Sequence, residues 1–278
     1  MFETKRFRIS GSVFLTLKDA AFGAAAVFLC IISLMKTGSV QLNEGDLIGQ
    51  ALQCMSDLFW YILPCLIALL IIRFALKPKQ YVFRKLLHFV AFSCTSYSIL
   101  KAQSWLAAVI CFMAVSVLVY PVIALADRYE WFKKLLVEKE PGEIKLSLML
   151  LFSTVAVIAA VGWGVFGNRP ASAAAVLMWG CGDAAAALVG IPWGRHRLNV
   201  GFERGKKSLE GTVADFAVSF ASGMIFLCVY EGMSPERVLL PALLAAAAGA
   251  IVELLSPSKY DTVTVPAAVL AALLALLR

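Results

Sequence analysis

Long apolar runs recur along almost the whole chain, and they limit what it can fold into. Most of them approach the roughly 20 residues that a helix needs to cross a bilayer. Hydrophobic residues make up 61% of the 278 residues and charged residues only 15%, whereas soluble domains are about 45–50% apolar. We therefore predict an all-α, polytopic membrane protein in which residues 1–278 form a single integral membrane domain.

The apolar runs predict about nine transmembrane helices. The first run follows Lys18 and lacks a small-residue cleavage site, so we expect a retained helix and not a removed signal. The third and the last runs are short. The predicted spans are 20–36, 58–76, 86–100, 104–126, 144–166, 170–192, 210–230, 237–255 and 262–277.

Lysine and arginine are distributed unevenly between the predicted loops. With a cytoplasmic N-terminus, 20 of the 25 Lys and Arg residues fall on the cytoplasmic side, as the positive-inside rule requires. This bias and attraction to anionic lipid headgroups explain the net charge of +7, so nucleic acid is not expected as a partner. Two histidines exclude a His-rich metal site, and seven scattered cysteines without C-x-x-C spacing are expected to be packing residues.

A lone carboxylate, Asp183, lies within the sixth predicted span. A charge at this depth is costly unless it faces a partner, an ion or water, which favours a functional site over a simple interhelical hydrogen bond. Eight residues from Ile191 correspond to roughly 12 Å of helix. Gly180 and Gly182 flank Asp183 and would permit a helix break lining a cavity, so we expect a water-filled funnel that reaches Asp183.

A basic loop follows this span, with five Lys or Arg residues between Ile191 and Leu209. Glycines punctuate it, and a helix is predicted to start near Glu210. Charged side chains and helix N-terminal N–H groups can together bind phosphates. An ordinary positive-inside loop explains the same charges, and the spacing is not that of a P-loop. The phosphate-binding candidates are Arg195, Lys206, Lys207 and Ser208.

Four carboxylates, Asp183, Glu210, Asp215 and Glu253, are predicted near one side of the membrane. Together they could bind Mg²⁺ that bridges nucleotide phosphates, since magnesium prefers a few carboxylates plus phosphate oxygens. One of them could instead accept a proton from an attacking hydroxyl. Helix capping and compensation of the helix dipole explain Glu210 and Asp215 equally simply.

Arg84, Lys85 and His88 stand where the third span begins and share one helix face. We predict that Arg84 and Lys85 contribute to nucleotide binding. His88 is a site candidate, although a role as an interfacial anchor fits it as well.

Four motifs in this chain resemble the membrane family of CTP-dependent lipid-alcohol kinases, which includes dolichol kinase, phytol kinase and the yeast-type diacylglycerol kinase. Bacterial members are often labelled phosphatidate cytidylyltransferase-like. The resemblance covers about residues 80–270. One departure is Thr262, which replaces the asparagine that usually follows the last aspartate. The motifs are R-K-x-x-H at Arg84–His88, G-D-x-x-A-x-x-x-G at Gly182–Gly190, K-S-x-E-G-T at Lys207–Thr212, and E-x-x-S from Glu253 with Asp261 and Pro266.

This resemblance implies CTP as the phosphoryl donor, a divalent cation such as Mg²⁺, and a long-chain membrane alcohol as the acceptor. It favours Asp183, Glu210 and Lys207 as catalytic residues, on the cytoplasmic side of a bacterial-type cell membrane. Asp261 is a further site candidate. Three alternatives remain at this point: a phosphatidate cytidylyltransferase that attacks the α-phosphorus, a transporter with an intramembrane proton relay, and a non-catalytic assembly subunit.

Overall fold

The computed structural model describes residues 46–126, 143–202, 204–257 and 260–277, which form eight α-helices. The fourth and the sixth of these helices continue as π-helical turns, through Ala159–Val165 and Phe226–Tyr230 respectively. The helices are α1 Leu47–Leu76, α2 Gln80–Lys101, α3 Trp105–Ala126, α4 Glu143–Ile158, α5 Arg169–Trp193, α6 Leu209–Ile225, α7 Pro235–Leu255 and α8 Asp261–Leu276.

Six of the eight helices are long and apolar enough to cross a membrane. Helix α2 is too polar because Gln80, Arg84, Lys85 and His88 lie in its first turns, and α8 has only 16 residues. The prediction of an all-α, multi-pass membrane protein is confirmed to this extent. The predicted span 20–36 and the cytoplasmic N-terminus lie outside the described residues.

Successive helices run antiparallel, so their ends form two groups. The contact between Asn168 Nδ2 and Leu277 O, at 2.8 Å, marks one end. The ion pair between Lys85 and Asp183 lies toward the other. We call the latter the site end; it comprises the last turns of α1, α3, α5 and α7 and the first turns of α2, α4, α6 and α8.

Helix α5 lies at the centre of the bundle and packs against α2, α6 and α8. Its first half is almost completely buried, with Ala171, Val176 and Met178 fully enclosed. Helix α1, by contrast, leaves most of its apolar side chains exposed or partly exposed, as expected for a helix that borders lipid. The centre of the bundle therefore positions the residues that α5 carries.

Small residues spaced four apart bring α5 and α6 into close contact, as in membrane helix pairs that pack through small side chains. A Cβ on Gly211 would lie 3.0 Å from Ala186 O, and one on Gly190 would lie 3.3 Å from Gly211 Cα. The same face of α6 carries Asp215. This packing places Asp215 directly against the backbone of Gly182, beside Asp183.

Candidate active site

The centre of the candidate site is an ion pair between α2 and α5. Lys85 Nζ donates to both Oδ1 and Oδ2 of Asp183, each at 2.8 Å. His88, one turn further along α2, places Nδ1 3.9 Å from Asp183 Oδ2. The side chain of Asp183 keeps 30% of its surface exposed and that of His88 31%. Of the three residues predicted to share one face, Lys85 and His88 are both directed at Asp183; Arg84 is partly buried in the same turns of α2.

Helix α5 is continuous through Gly180 and Gly182, so the helix break that these glycines would permit does not occur. Both glycines instead allow close packing. A Cβ on Gly180 would overlap the side chain of Phe92 on α2, and one on Gly182 would overlap the carboxylate of Asp215. Phe92 also packs edge-on against Trp179, with ring centroids 4.2 Å apart. The water-filled funnel stays a prediction.

The described part of the basic loop folds into a hairpin, which we call the basic hairpin (residues 195–202 and 204–209). Leu198 N donates to Lys207 O, and Gly205 N donates to Leu198 O, both at 2.9 Å. Gly201 and Gly205 adopt φ angles of +69° and +75°, which glycine tolerates without steric cost. At Gly201 the backbone lies against Leu254 and Leu255 at the end of α7. The loop is therefore fixed to the bundle at the site end.

Glu210 anchors the start of this hairpin. Its Oε1 accepts from the backbone N–H groups of Arg195 and His196, each at 3.1 Å, and lies 2.7 Å from His196 Nδ1. Ser208 caps α6 by accepting from Gly211 N at 3.2 Å. Three donors thus surround the carboxylate that was predicted to bind a metal or to act in catalysis, and they direct it toward the loop.

Lys207 forms the second ion pair of the site. Its Nζ lies 3.1 Å from Glu253 Oε1 and also donates to the backbone carbonyl of Glu253. Only 13% of the Lys207 side chain and 16% of the Glu253 side chain are exposed. This pair ties the hairpin to the last turn of α7, and it holds Lys207 inside the bundle.

Asp215 is buried between α5 and α6, with 4% of its surface exposed. Ser219 Oγ donates to its Oδ1 at 3.0 Å, whereas its Oδ2 has no hydrogen-bond partner among the described residues. The charges of Glu253, Asp183 and Lys207 all act on Asp215. Asp261, at the start of α8, is influenced by the charges of Asp183 and Lys207. The four carboxylates on α5 to α8 therefore share one electrostatic environment.

The donor atoms at this end fit a hard divalent cation, because they are carboxylate oxygens and one of them, Asp215 Oδ2, has no hydrogen-bond partner in the part of the chain that the structure describes. In the described part of the chain, no three His, Cys, Asp or Glu side chains already converge as a metal-binding group. Magnesium often takes only one or two protein carboxylates together with phosphate oxygens and water. Of the predicted ligands Asp183, Glu210, Asp215 and Glu253, Glu210 is held by the hairpin, and one or two of the other three are compatible with that arrangement.

The structure thus brings most of the predicted site residues to one end of the bundle. Some of them lie inside the bundle, and others are exposed at its surface. Lys85, Asp183, Lys207, Glu253 and Asp215 lie within the bundle. The side chains of Arg195 and Lys206 are exposed on the hairpin, and Arg84 is partly buried in the first turns of α2. Sequence reasoning missed Ser219, whose spacing of four residues from Asp215 was the available signal.

Comparison with known proteins yields one informative match. A phytol kinase from Synechocystis sp. is 41% identical over 96 residues, which cover 34% of this chain and 40% of the relative. The matched region thus spans less than half the length of that relative. The predicted resemblance to the lipid-alcohol kinases is confirmed by this match. No protein-family model and no solved structure matches the chain.

Proposed function

We propose that this protein is a lipid kinase that transfers the γ-phosphoryl group of CTP to a membrane-embedded long-chain alcohol of the polyprenol, phytol or diacylglycerol type. The partial match to a phytol kinase suggests a lipid-alcohol kinase. The observation that carries the proposal is the partly exposed ion pair between Lys85 and Asp183, which lies within the helical bundle at the same end as the basic hairpin. A lipid headgroup and a nucleotide can meet there.

The proposed reaction is an in-line phosphoryl transfer. The alcohol oxygen forms a bond to the γ-phosphorus, the bond from that phosphorus to the β,γ-bridging oxygen breaks, and CDP leaves. The hydroxyl proton passes to one of the carboxylates of the site. Such catalysis depends mainly on positioning and on charge stabilisation, which Lys85 and Lys207 are placed to supply.

Nucleotide binding is assigned to the basic hairpin and to the start of α2. Arg195 and Lys206 present charge at the surface of the hairpin, while Ser208 and Lys207 stand where it enters α6. Arginine and lysine both bind phosphate through charge-assisted hydrogen bonds. We assign Glu210 to holding the hairpin, because its carboxylate already accepts the backbone N–H groups of Arg195 and His196.

A divalent cation such as Mg²⁺ would be held by Asp183, Asp215 and Glu253 and would neutralise charge on the nucleotide phosphates. The acceptor would enter laterally between helices, since its hydrocarbon tail stays in the bilayer. Of the 14 Lys and Arg residues that the structure describes, 11 lie toward the site end. By the positive-inside rule, this end faces the cytoplasm of a bacterial-type cell.

The nucleotide product tests the proposal. Purified protein would be incubated with CTP, Mg²⁺ and, in turn, phytol, farnesol, undecaprenol, diacylglycerol and phosphatidate, and the soluble products would be separated. Alcohol-dependent release of CDP supports the kinase and identifies the acceptor. Phosphatidate-dependent release of pyrophosphate would contradict the kinase and indicate a cytidylyltransferase. A folded protein that releases neither product and binds no CTP would contradict both enzymes.

A further inference from the structure

Two lysines hold two of the proposed metal-binding carboxylates in the free protein. Lys85 contacts both carboxylate oxygens of Asp183, and Lys207 contacts both the side chain and the backbone carbonyl of Glu253. Both lysine side chains are largely buried, at 14% and 13% exposure. We call this pair of contacts the lysine lock. It directs both carboxylate oxygens of Asp183 and Oε1 of Glu253 at ammonium groups.

Asp215, unlike Asp183 and Glu253, is not held by a lysine in the described residues. It is 4% exposed, and its Oδ2 has no hydrogen-bond partner in the described residues. Leaving a buried carboxylate oxygen unpaired costs free energy, and the negative charges of Glu253 and Asp183 add to that cost. A buried oxygen without a partner among the described residues, under the influence of two other carboxylate charges, indicates a ligand of positive charge.

We infer that nucleotide binding assembles the divalent-cation site by opening the lysine lock. Phosphate oxygens compete with Asp183 for Lys85 and with Glu253 for Lys207. The carboxylates released in this way turn to a cation that Asp215 also contacts. This inference rests on the proposed function for the identity of the nucleotide, but the lock itself is a property of the free protein.

The lysine lock has a thermodynamic consequence. If nucleotide binding releases the carboxylates, it strengthens cation binding, and the cation strengthens nucleotide binding by the same factor. Coupling of this kind ordinarily amounts to roughly 5- to 150-fold. The free protein, in contrast, is expected to bind divalent cations weakly because Asp183 and Glu253 would each first have to leave a buried lysine.

The test measures Mn²⁺ binding by electron paramagnetic resonance, on full-length protein in detergent without nucleotide. Wild type should bind Mn²⁺ weakly. The double variant Lys85→Met, Lys207→Met should bind about tenfold more tightly or better, within the ordinary range of coupling. Adding Asp215→Asn should remove that gain. Lys101→Met, which removes a lysine that packs over Tyr97 at the opposite end, serves as the matched control and should behave as wild type.

These binding measurements test the lysine lock independently of the proposed phosphoryl transfer. Wild type that binds Mn²⁺ as tightly as the double variant, or a folded double variant without any gain, would overturn the inference. If the double variant fails to fold, each single variant replaces it, and a Mn²⁺-dependent rise in its melting temperature is the expected result; no rise overturns the inference. A gain in the double variant, together with wild type that binds no CTP, would support the lock and overturn the proposed donor.

Discussion

Lys85 and Asp183 lie 98 residues apart in the sequence, and Lys85 Nζ contacts both carboxylate oxygens of Asp183 at 2.8 Å. The pair joins α2, which is too polar to count as a membrane span, to the central helix α5. Asp183 is thereby stabilised within an apolar helix, while almost a third of its side chain stays accessible. Stability and the proposed reaction depend on the same contact.

Lys85→Met should destabilise the protein and abolish phosphoryl transfer. Removing one partner of a buried ion pair costs roughly 3–5 kcal/mol, and we expect the low end because Asp183 is partly exposed. The double variant Lys85→Met, Asp183→Asn should recover most of the stability but no activity. Thermal unfolding in detergent and transfer of label from CTP measure the two effects. Recovery of activity in the double variant would contradict a catalytic role for the pair.

Gly182→Ala should destabilise the contact between α5 and α6 by about 1–3 kcal/mol, the usual cost of overpacking. The added Cβ would overlap the Asp215 carboxylate and the Ser219 hydroxyl. Combining it with Asp215→Ala should relieve part of this cost, so the two substitutions should not be additive. Thermal unfolding of the four proteins in the cycle measures the coupling. Strict additivity would show that Asp215 does not pack against Gly182.

Glu210→Ala should raise the KM for CTP with a smaller change in kcat. Without its carboxylate, the N–H groups of Arg195 and His196 lose their acceptor and the hairpin shifts. A misplacement of 1 Å can cost roughly 100-fold in rate, and we expect the loss in kcat/KM to stay within that size. His196→Asn keeps a side-chain donor near Glu210 and should stay close to wild type. A loss confined to kcat would instead indicate that Glu210 binds the cation or the reacting groups.

Asn168→Ala should lower stability without changing the kinetics with CTP. The Asn168 side chain accepts from Ala171 N at 2.9 Å and donates to Leu277 O at 2.8 Å, at the end opposite the site. Loss of a helix cap costs about 1 kcal/mol, and the lost contact to Leu277 adds to it. Asn168→Asp keeps the helix cap but loses the contact to Leu277, so its stability should lie between those of wild type and Asn168→Ala. A changed KM for CTP would show that the two ends are coupled.

Hydropathy predicted the helices well where polar residues mark their ends. The span 104–126 is observed as Trp105–Ala126, and 262–277 as Asp261–Leu276. The prediction was wrong where a helix carries polar residues inside it. Helix α1 starts at Leu47 and not at residue 58, because Gln50, Gln53 and Asp57 lower the local hydropathy although they continue the helix.

The sequence also identified which residues belong to the site, but not how they pair. Asp183 stood out because a carboxylate in an apolar helix is costly. Its pairing with Lys85 depends on how α2 packs on α5, and no local pattern encodes that packing. The two glycines beside Asp183 were interpreted as permitting a break because their packing partners, Phe92 and Asp215, lie on other helices. Long-range packing, not local preference, decided these points.

The central claim is that Asp183 is required for transfer of the γ-phosphoryl group of CTP to a lipid alcohol. The most direct test follows label into phytol or another accepted alcohol from CTP labelled separately at the γ- and α-phosphates, comparing wild type with Asp183→Asn and with Asp57→Asn. Asp57 is a second carboxylate within an apolar helix, on α1, and Gln53 donates to it at 2.8 Å. We predict labelled lipid from wild type and Asp57→Asn and none from folded Asp183→Asn. Labelled lipid from Asp183→Asn at the wild-type rate, or label reaching lipid only from the α-phosphate, would contradict this account.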